Sequence, residues 1–293
     1  MQIKKIQSNI LTRYAQHGRI LPRRKTRDPY AIHVSEVMLQ QTQVDRVIPY
    51  FHQWMKDFTD YASLAKASKS DLLKHRSGLG FNSRALRLQE CAKKIVESGG
   101  LKPTLNSCKD ALHASQRSKQ KTKCGHVESG GIIRNNLRKL PGIGPYTSAA
   151  IMAFTWNLEV PVIDTNIRRV LIFLFKLDEK ISMQALEDFA TKIIPKGKSR
   201  DWHNALMDYG ALELTARKTK IKPVSKQSKF EGSDRQVRGR ILKQLVRSPI
   251  TNNQLPITIV QKEFPHKQVK PILQGMKEEG LIHIKKGIIT IAE

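Results

Sequence analysis

Three observations predict a mainly α-helical chain that ends in a small α+β module. Apolar residues recur at intervals of three and four through most of residues 8–216, strand-like alternation is scarce there, and a helix, helix, hairpin order follows residue 235. With 293 residues there is room for one large domain and a smaller one. The expected organisation is a helical domain over residues 1–217, a polar linker over 218–234 and a winged-helix-like module over 235–293.

In chain order, the first clear helices are expected over residues 32–47 and 84–97. Residues 104–136 then break the pattern, being rich in Ser, Lys, Gln and Gly, as in the runs from Ser115 to Lys123 and Ser129-Gly130-Gly131. So polar a segment buries too little apolar area to offset its ordering entropy, and it reads as an exposed, mobile insertion. Within it Cys108, His113, Cys124 and His126 lack a close Cys-x-x-Cys pair, so loose thiols are preferred to a zinc site and no metal is expected.

The stretch Leu140-Pro141-Gly142-Ile143-Gly144-Pro145-Tyr146-Thr147 suits a tight turn that opens a helix over residues 146–154. Glycine lets backbone approach a ligand, and a helix N-terminus offers N–H groups to an anion, so a phosphate is the natural guest. A plain turn between two helices has the same pattern. Helices over 167–175 and 184–194 follow, the first preceded by Val162-Ile163-Asp164-Thr165-Asn166, in which Asp164 is a good N-cap.

In the tail, helices are expected over 236–246 and 269–278, then a hairpin, Leu281-Ile282-His283-Ile284 with Gly287-Ile288-Ile289-Thr290-Ile291, turning at Lys285-Lys286. This order suggests a winged helix that adds a second DNA contact through Lys267, Lys270, Lys285 and Lys286. A packing or partner-binding module fits the same order.

Charge narrows the function classes. Lys and Arg number 52 against 25 Asp and Glu, a net charge of +27, which draws a polyanion and makes binding salt-dependent. Nucleic acid leads over a membrane surface. No stretch of about 18 apolar residues and no apolar signal-peptide core occur, so a soluble, cytoplasmic protein is expected, nucleoid-associated in a bacterium. Three cysteines, Cys91, Cys108 and Cys124, have no framework spacing and fit a reducing compartment.

The segment Ser35-Glu36-Val37-Met38-Leu39-Gln40-Gln41-Thr42-Gln43-Val44, with Val47-Ile48-Pro49-Tyr50-Phe51, Gly78-Leu79-Gly80, the glycine turn and Val162 to Asn166, resembles the helix-hairpin-helix (HhH-GPD) DNA glycosylases, and among them the MutY type. The likeness covers roughly residues 8–220. It implies a helix-hairpin-helix glycosylase fold with two helical subdomains flanking an active-site cleft, acting as a monomer on double-stranded DNA that carries a mispaired or damaged base.

The resemblance also implies roles. Glu36, set among Val34, Val37, Met38 and Leu39, would protonate a flipped adenine at N7. Asp164 would stabilise the oxocarbenium-like sugar or bond to it transiently, and Asn166 would orient the site. Relatives similar to endonuclease III carry a Schiff-base lysine where this chain has Tyr146, and a phenol forms no imine, so a monofunctional enzyme is expected. Gln41 would be the wedge that fills the vacated stack, Phe81 and Asn82 would lie beside the opposite base, and Leu140, Gly142, Gly144 and Thr147 would hold the strand. Tyr146 as a core aromatic and Asn82 as loop chemistry are the plainer alternatives.

Departures from the family pattern sharpen the reading. Gly210-Ala211-Leu212 leads to Leu214 and Ile221 where the first two iron-sulfur cysteines would stand, and no cysteine follows Cys124, so no cluster is expected. The family's Leu-Pro-Trp-Arg is here Leu21-Pro22-Arg23-Arg24, which bears on packing near the N-terminus. The tail is too short and too different for the Nudix-like domain of the MutY type. Removal of adenine opposite 8-oxoguanine or guanine is the expected activity. A thymine or uracil mismatch glycosylase of the same superfamily and a non-catalytic DNA-binding regulator are its rivals.

Overall fold

The computed structural model describes residues 2–76, 82–101, 125–224, 229–247 and 254–292. These fall into two compact units, one made of residues 1–36 and 99–226, the other of 37–98 and 227–293. Among the described residues no helix is long and apolar enough to cross a membrane.

The first unit is helical. It holds α1 (Gln2–His17), a 3-10 turn η1 (Pro22–Lys25) and the opening of α2 (Pro29–Leu39), whose last residues belong to the second unit. Later in the chain the second unit contributes α3 (Val44–Asp57), α4 (Tyr61–Lys66), α5 (Lys69–Arg76) and α6 (Asn82–Glu97), and the first resumes with α7 (Gly125–Arg138), α8 (Pro145–Trp156), α9 (Thr165–Phe175), α10 (Met183–Lys192), α11 (Ser199–Leu212) and α12 (Ala216–Thr219). Helix α8 is apolar on nearly every face and is buried from Thr147 to Thr155, so it forms the centre of its unit. Helix α11 packs against α1, α8 and α9, contributing the fully buried Trp202 and Leu206. At Gly210 a Cβ would stand 3.0 Å from Asn166 Cβ and 3.0 Å from Val170 Cγ2, so glycine is what lets α9 and α11 approach this closely.

Two expected boundaries change. The helix expected over 32–47 is two helices, α2 and α3, separated at Gln40–Gln43, where Gln41 adopts φ +59°. Residues 125–136, expected as part of the polar insertion, belong to α7, because Ile133 and Leu137, four apart on one face, are both buried. The rest of that segment, with Cys108, His113 and Cys124, lies outside the described residues, as does the side chain of His126.

In the second unit, Trp54 of α3 is fully buried and meets Phe58 edge-on at 4.7 Å, while α4, opened by an Asp60–Ser63 capping box, packs on α6. The tail folds as α13 (Asp234–Arg247), β1 (Gln254–Pro256), α14 (Ile257–Glu263), α15 (Val269–Glu278), β2 (Ile282–Lys285) and β3 (Ile288–Ile291). Its antiparallel sheet has the order β1-β3-β2, with Ile289 paired to Leu255 on one side and Ile284 on the other. This is the winged-helix-like arrangement. The hairpin turns one residue later than expected, at Lys286 and Gly287, which have φ +49° and +76°, the primed-turn geometry that matches strand twist. Lys270, Lys285 and Lys286 are exposed, and Lys267 is paired with Asp234 at 2.9 Å.

Candidate active site

Helix α2 is started by Asp28, whose carboxylate accepts the N–H groups of Tyr30 and Ala31 at 3.1 and 3.2 Å, with Pro29 at the first helical position. Residues 30–38 are all buried, so Glu36 is a carboxylate in the interior, 1% exposed. A buried charge persists only with partners. Glu36 has two: Arg23 Nη1 donates to Oε1 at 2.8 Å, and the Tyr146 hydroxyl donates to Oε2 at 2.7 Å. Val34, Val37 and Met38 are buried around the helix as expected.

Asp164 ends the extended run from Val160 and caps α9, its Oδ1 accepting the Ile167 N–H at 2.6 Å. Asn166 Nδ2 lies 3.4 Å from Asp164 Oδ2, while Asn166 Oδ1 accepts from Arg169 Nη2 at 2.7 Å, which fixes the orientation of the amide. Arg169 also donates to the carbonyls of Gly210 and Leu214, both at 2.7 Å, so α9 is tied to the end of α11. The approach to Asp164 is held by the buried His203, whose Nε2 accepts the Val162 N–H at 3.1 Å. The proton is therefore on Nδ1, which donates to the Ser199 carbonyl at 2.7 Å.

The two acids expected from the sequence, 128 positions apart, are thus brought to one place. Removal from water raises the Asp164 pKa; the Ile167 N–H opposes this, and the charge of Glu36 adds to it. Tyr146 lies well above an ordinary tyrosine, first through burial and then through the charges of Glu36 and Asp164, so its phenol is a neutral donor at any physiological pH.

Burial also lowers two imidazoles, His33 and His203, to about 4. Both take up a proton more readily when unfolded, so their contribution is complete above about pH 6.5 and is lost as pH falls toward 4, by about 2 kcal/mol each at pH 5. Urea denaturation should therefore show a lower midpoint at pH 5 than at pH 7.5, and His203→Gln should reduce that difference.

The glycine turn lies between α7 and α8. Gly142 is exposed at φ +77°, which requires glycine, and Gly144 is the N-cap of α8 with open space where a Cβ would stand. Leu140 is half-buried, its N–H bound to the Leu137 carbonyl at 3.1 Å, and Thr147 is buried at the start of α8. In the second unit Gln41 is exposed in the left-handed region, a cost of roughly 1 kcal/mol for a residue with a Cβ, and Arg84 steadies the preceding turn through the carbonyls of Val37 and Gln40 at 3.1 and 2.6 Å. Phe81 lies outside the described residues, and Asn82 is described only as the first residue of α6.

Arg23, His203 and Arg169 are site residues that the sequence reading missed. For Arg23 the signal is present in Leu21-Pro22-Arg23-Arg24, where a charge replaces an aromatic; for the other two no local signal exists. The iron-sulfur cluster implied by the family does not fit the residues present. Leu214 and Ile221, 5% and 6% exposed, offer buried hydrocarbon where thiolates would be needed.

Residues 34–196 match the HhH-GPD superfamily of base excision DNA repair proteins. The chain is similar to the adenine DNA glycosylase of Rattus norvegicus, 33% identical over 245 residues, covering 80% of this chain and 42% of that protein. It is also similar to the adenine DNA glycosylase of Mycolicibacterium smegmatis, 32% identical over 274 residues, covering 85% of this chain and 83% of the relative. The chain spans about two fifths of the length of the mammalian relatives it matches. A solved thermostable thymine-DNA glycosylase is similar with a TM-score of 0.58 and 27% identity, covering 74% of this chain and 89% of that one. The helix, glycine turn and helix of α7 and α8, the paired acids and the match over residues 34–196 lead to one assignment: the chain belongs to the HhH-GPD superfamily of base excision DNA repair proteins.

Proposed function

We propose that the chain is a monofunctional DNA N-glycosylase that removes adenine mispaired with 8-oxoguanine or guanine, working as a cytoplasmic monomer on double-stranded DNA without an iron-sulfur cluster. The observation that carries this reading is the meeting of Glu36, Tyr146 and Asp164, with a tyrosine rather than a lysine at position 146. Glu36, having taken up a proton before the chemical step, passes it to N7 of the extruded adenine, so the base leaves neutral and Glu36 becomes the carboxylate that Arg23 and Tyr146 hold. Asp164 faces the sugar and offsets its growing positive charge. Glu36 and Asp164 as carboxylates and Arg23 as a guanidinium sum to one negative charge, matched to one oxocarbenium. Asn166 keeps Asp164 in place, and Tyr146 holds Glu36. Leu140, Gly142, Gly144 and Thr147 grip the strand, Gln41 enters the stack, and Phe81 and Asn82 read the opposite base. Residues 1–217 carry the chemistry, and beyond the 218–234 linker the tail adds phosphate contacts through its lysines.

Likeness to a thymine-DNA glycosylase supports a second reading, removal of thymine or uracil from mismatches with guanine. Single-turnover assays on A:8-oxoG, A:G, T:G and U:G duplexes separate the two. Adenine release, with an intact abasic strand and no adduct after borohydride reduction, is the expected result. Release of pyrimidines alone would transfer the assignment to the second reading, and a borohydride-trapped adduct would end the monofunctional one. Binding with no base released from any duplex would leave a DNA-binding regulator.

A further inference from the structure

Arg23 is held unusually well for an arginine in a one-turn 3-10 segment. Its neighbour Arg24 grips Asp208 of α11 through both carboxylate oxygens, at 2.7 and 2.8 Å, and Arg19 joins at 2.6 Å. Burial alone would raise the Asp208 pKa, but the two guanidiniums prevail and lower it. So anchored, η1 presents Arg23 to the interior, where it is 9% exposed, lies over the Phe154 ring at 5.3 Å and approaches Met207 Sδ at 3.6 Å. Among the described residues its ion pair is with Glu36. Its Nε is buried with no hydrogen-bond partner among the described residues.

A residue needed only for packing beside Phe154 and Met207 would be apolar, since a buried ion pair adds little stability over hydrocarbon of the same volume. We propose that Arg23 is a positioning residue for base excision: it fixes the Glu36 carboxyl and stabilises the carboxylate left when Glu36 gives up its proton. This rests on the glycosylase reading above. In that step the Glu36 O–H bond breaks as N7–H forms, the C1′–N9 electron pair leaves with the base, and negative charge develops on the two Glu36 oxygens. Arg23 and Tyr146 already donate to those oxygens. Water then adds to C1′, and its surplus proton returns to a carboxylate of the site. Donors placed in advance where charge develops act on the transition state more than on the bound ground state. Asp164 also lies within reach of the Glu36 charge, and its own negative charge makes the cation more necessary.

The test uses the full chain and a duplex containing A:8-oxoG. Arg23→Gln should slow single-turnover release by about tenfold or more while the Kd for the duplex changes less than twofold, and Arg23→Lys, which keeps a cation, should recover at least a third of the parent rate. A rate within twofold of the parent in Arg23→Gln, or equal losses in both variants, would overturn the proposal. Thermal unfolding of Arg23→Gln, Glu36→Gln and the double variant supplies a readout free of activity: the Arg23 substitution should lower Tm less when Glu36 is already glutamine. Should the parent release no base, the glycosylase reading fails by itself. Additive Tm changes would then also reject the pair, and non-additive ones would retain Arg23 as the partner of Glu36. If Arg23→Gln does not fold, Arg23→Met, which refills the volume beside Phe154, takes its place in both measurements.

Discussion

Asp164→Asn should leave a folded protein that binds duplex DNA but releases base at least about a hundredfold more slowly than the parent. The fold survives because asparagine is as good an N-cap as aspartate, and its side-chain oxygen can still accept the Ile167 N–H. Chemistry is lost because an amide brings no charge to the sugar. The net charge of the site also rises by one, so Glu36 and Arg23 alone face the oxocarbenium. Single-turnover release and a binding isotherm on the same duplex check the prediction. Comparable losses in both would assign Asp164 to DNA binding or folding instead.

Glu36→Gln should give a loss of similar size by a different route. Glutamine fills the same volume and can accept from Arg23 and Tyr146 through a single oxygen, but it has no proton to pass to N7. Because the defect lies in leaving-group protonation, it depends on the base. A purine analogue that leaves readily without protonation should be released by Glu36→Gln much closer to the parent rate, whereas Asp164→Asn should remain slow on it. Equal slowing of both analogue and adenine would remove Glu36 from the role of acid. The comparison therefore assigns the two carboxylates separately, which a loss of activity alone does not.

How far the site could be read from the sequence depends on how local each signal is. Asp164 announces itself through a cap position after an apolar run, and Glu36 through the distinctive residues on either side of it. Gly142 and Gly144 are legible because a left-handed residue and an open N-cap favour glycine itself. Arg23 was visible only as a departure, since its meaning lies in a contact made once η1 folds back onto α2. His203 and Arg169 are ordinary helix residues by pattern, and only the packing of α11 against α8 and α9 gives them partners.

The fold was misread at corresponding places. Leu39, Val44 and Val47 keep up an apolar rhythm across Gln40–Gln43, and neither glycine nor proline marks the break there. It is made by the backbone of Gln41, stabilised from Arg84 on a distant helix. Helix α7 was hidden by the polar composition around Ile133 and Leu137, and β1, three residues ending in proline, forms by pairing with β3 rather than by its own preference.

The first unit is assembled from two stretches of chain, residues 1–36 and 99–226, and its opening helix α1 rests on α11, which begins at Ser199. During synthesis at about 5–20 residues per second, α1 therefore emerges roughly 10–40 seconds before its partner leaves the ribosome. Through that interval the side of α1 that packs on α11 has no native cover, while the sequence-local contacts of α4 and α6 can already close. Slow, long-range closure of this kind makes the nascent chain prone to aggregate in the meantime, and holdase chaperones should accordingly raise the yield of active protein more than they would for a chain that folds from one end to the other.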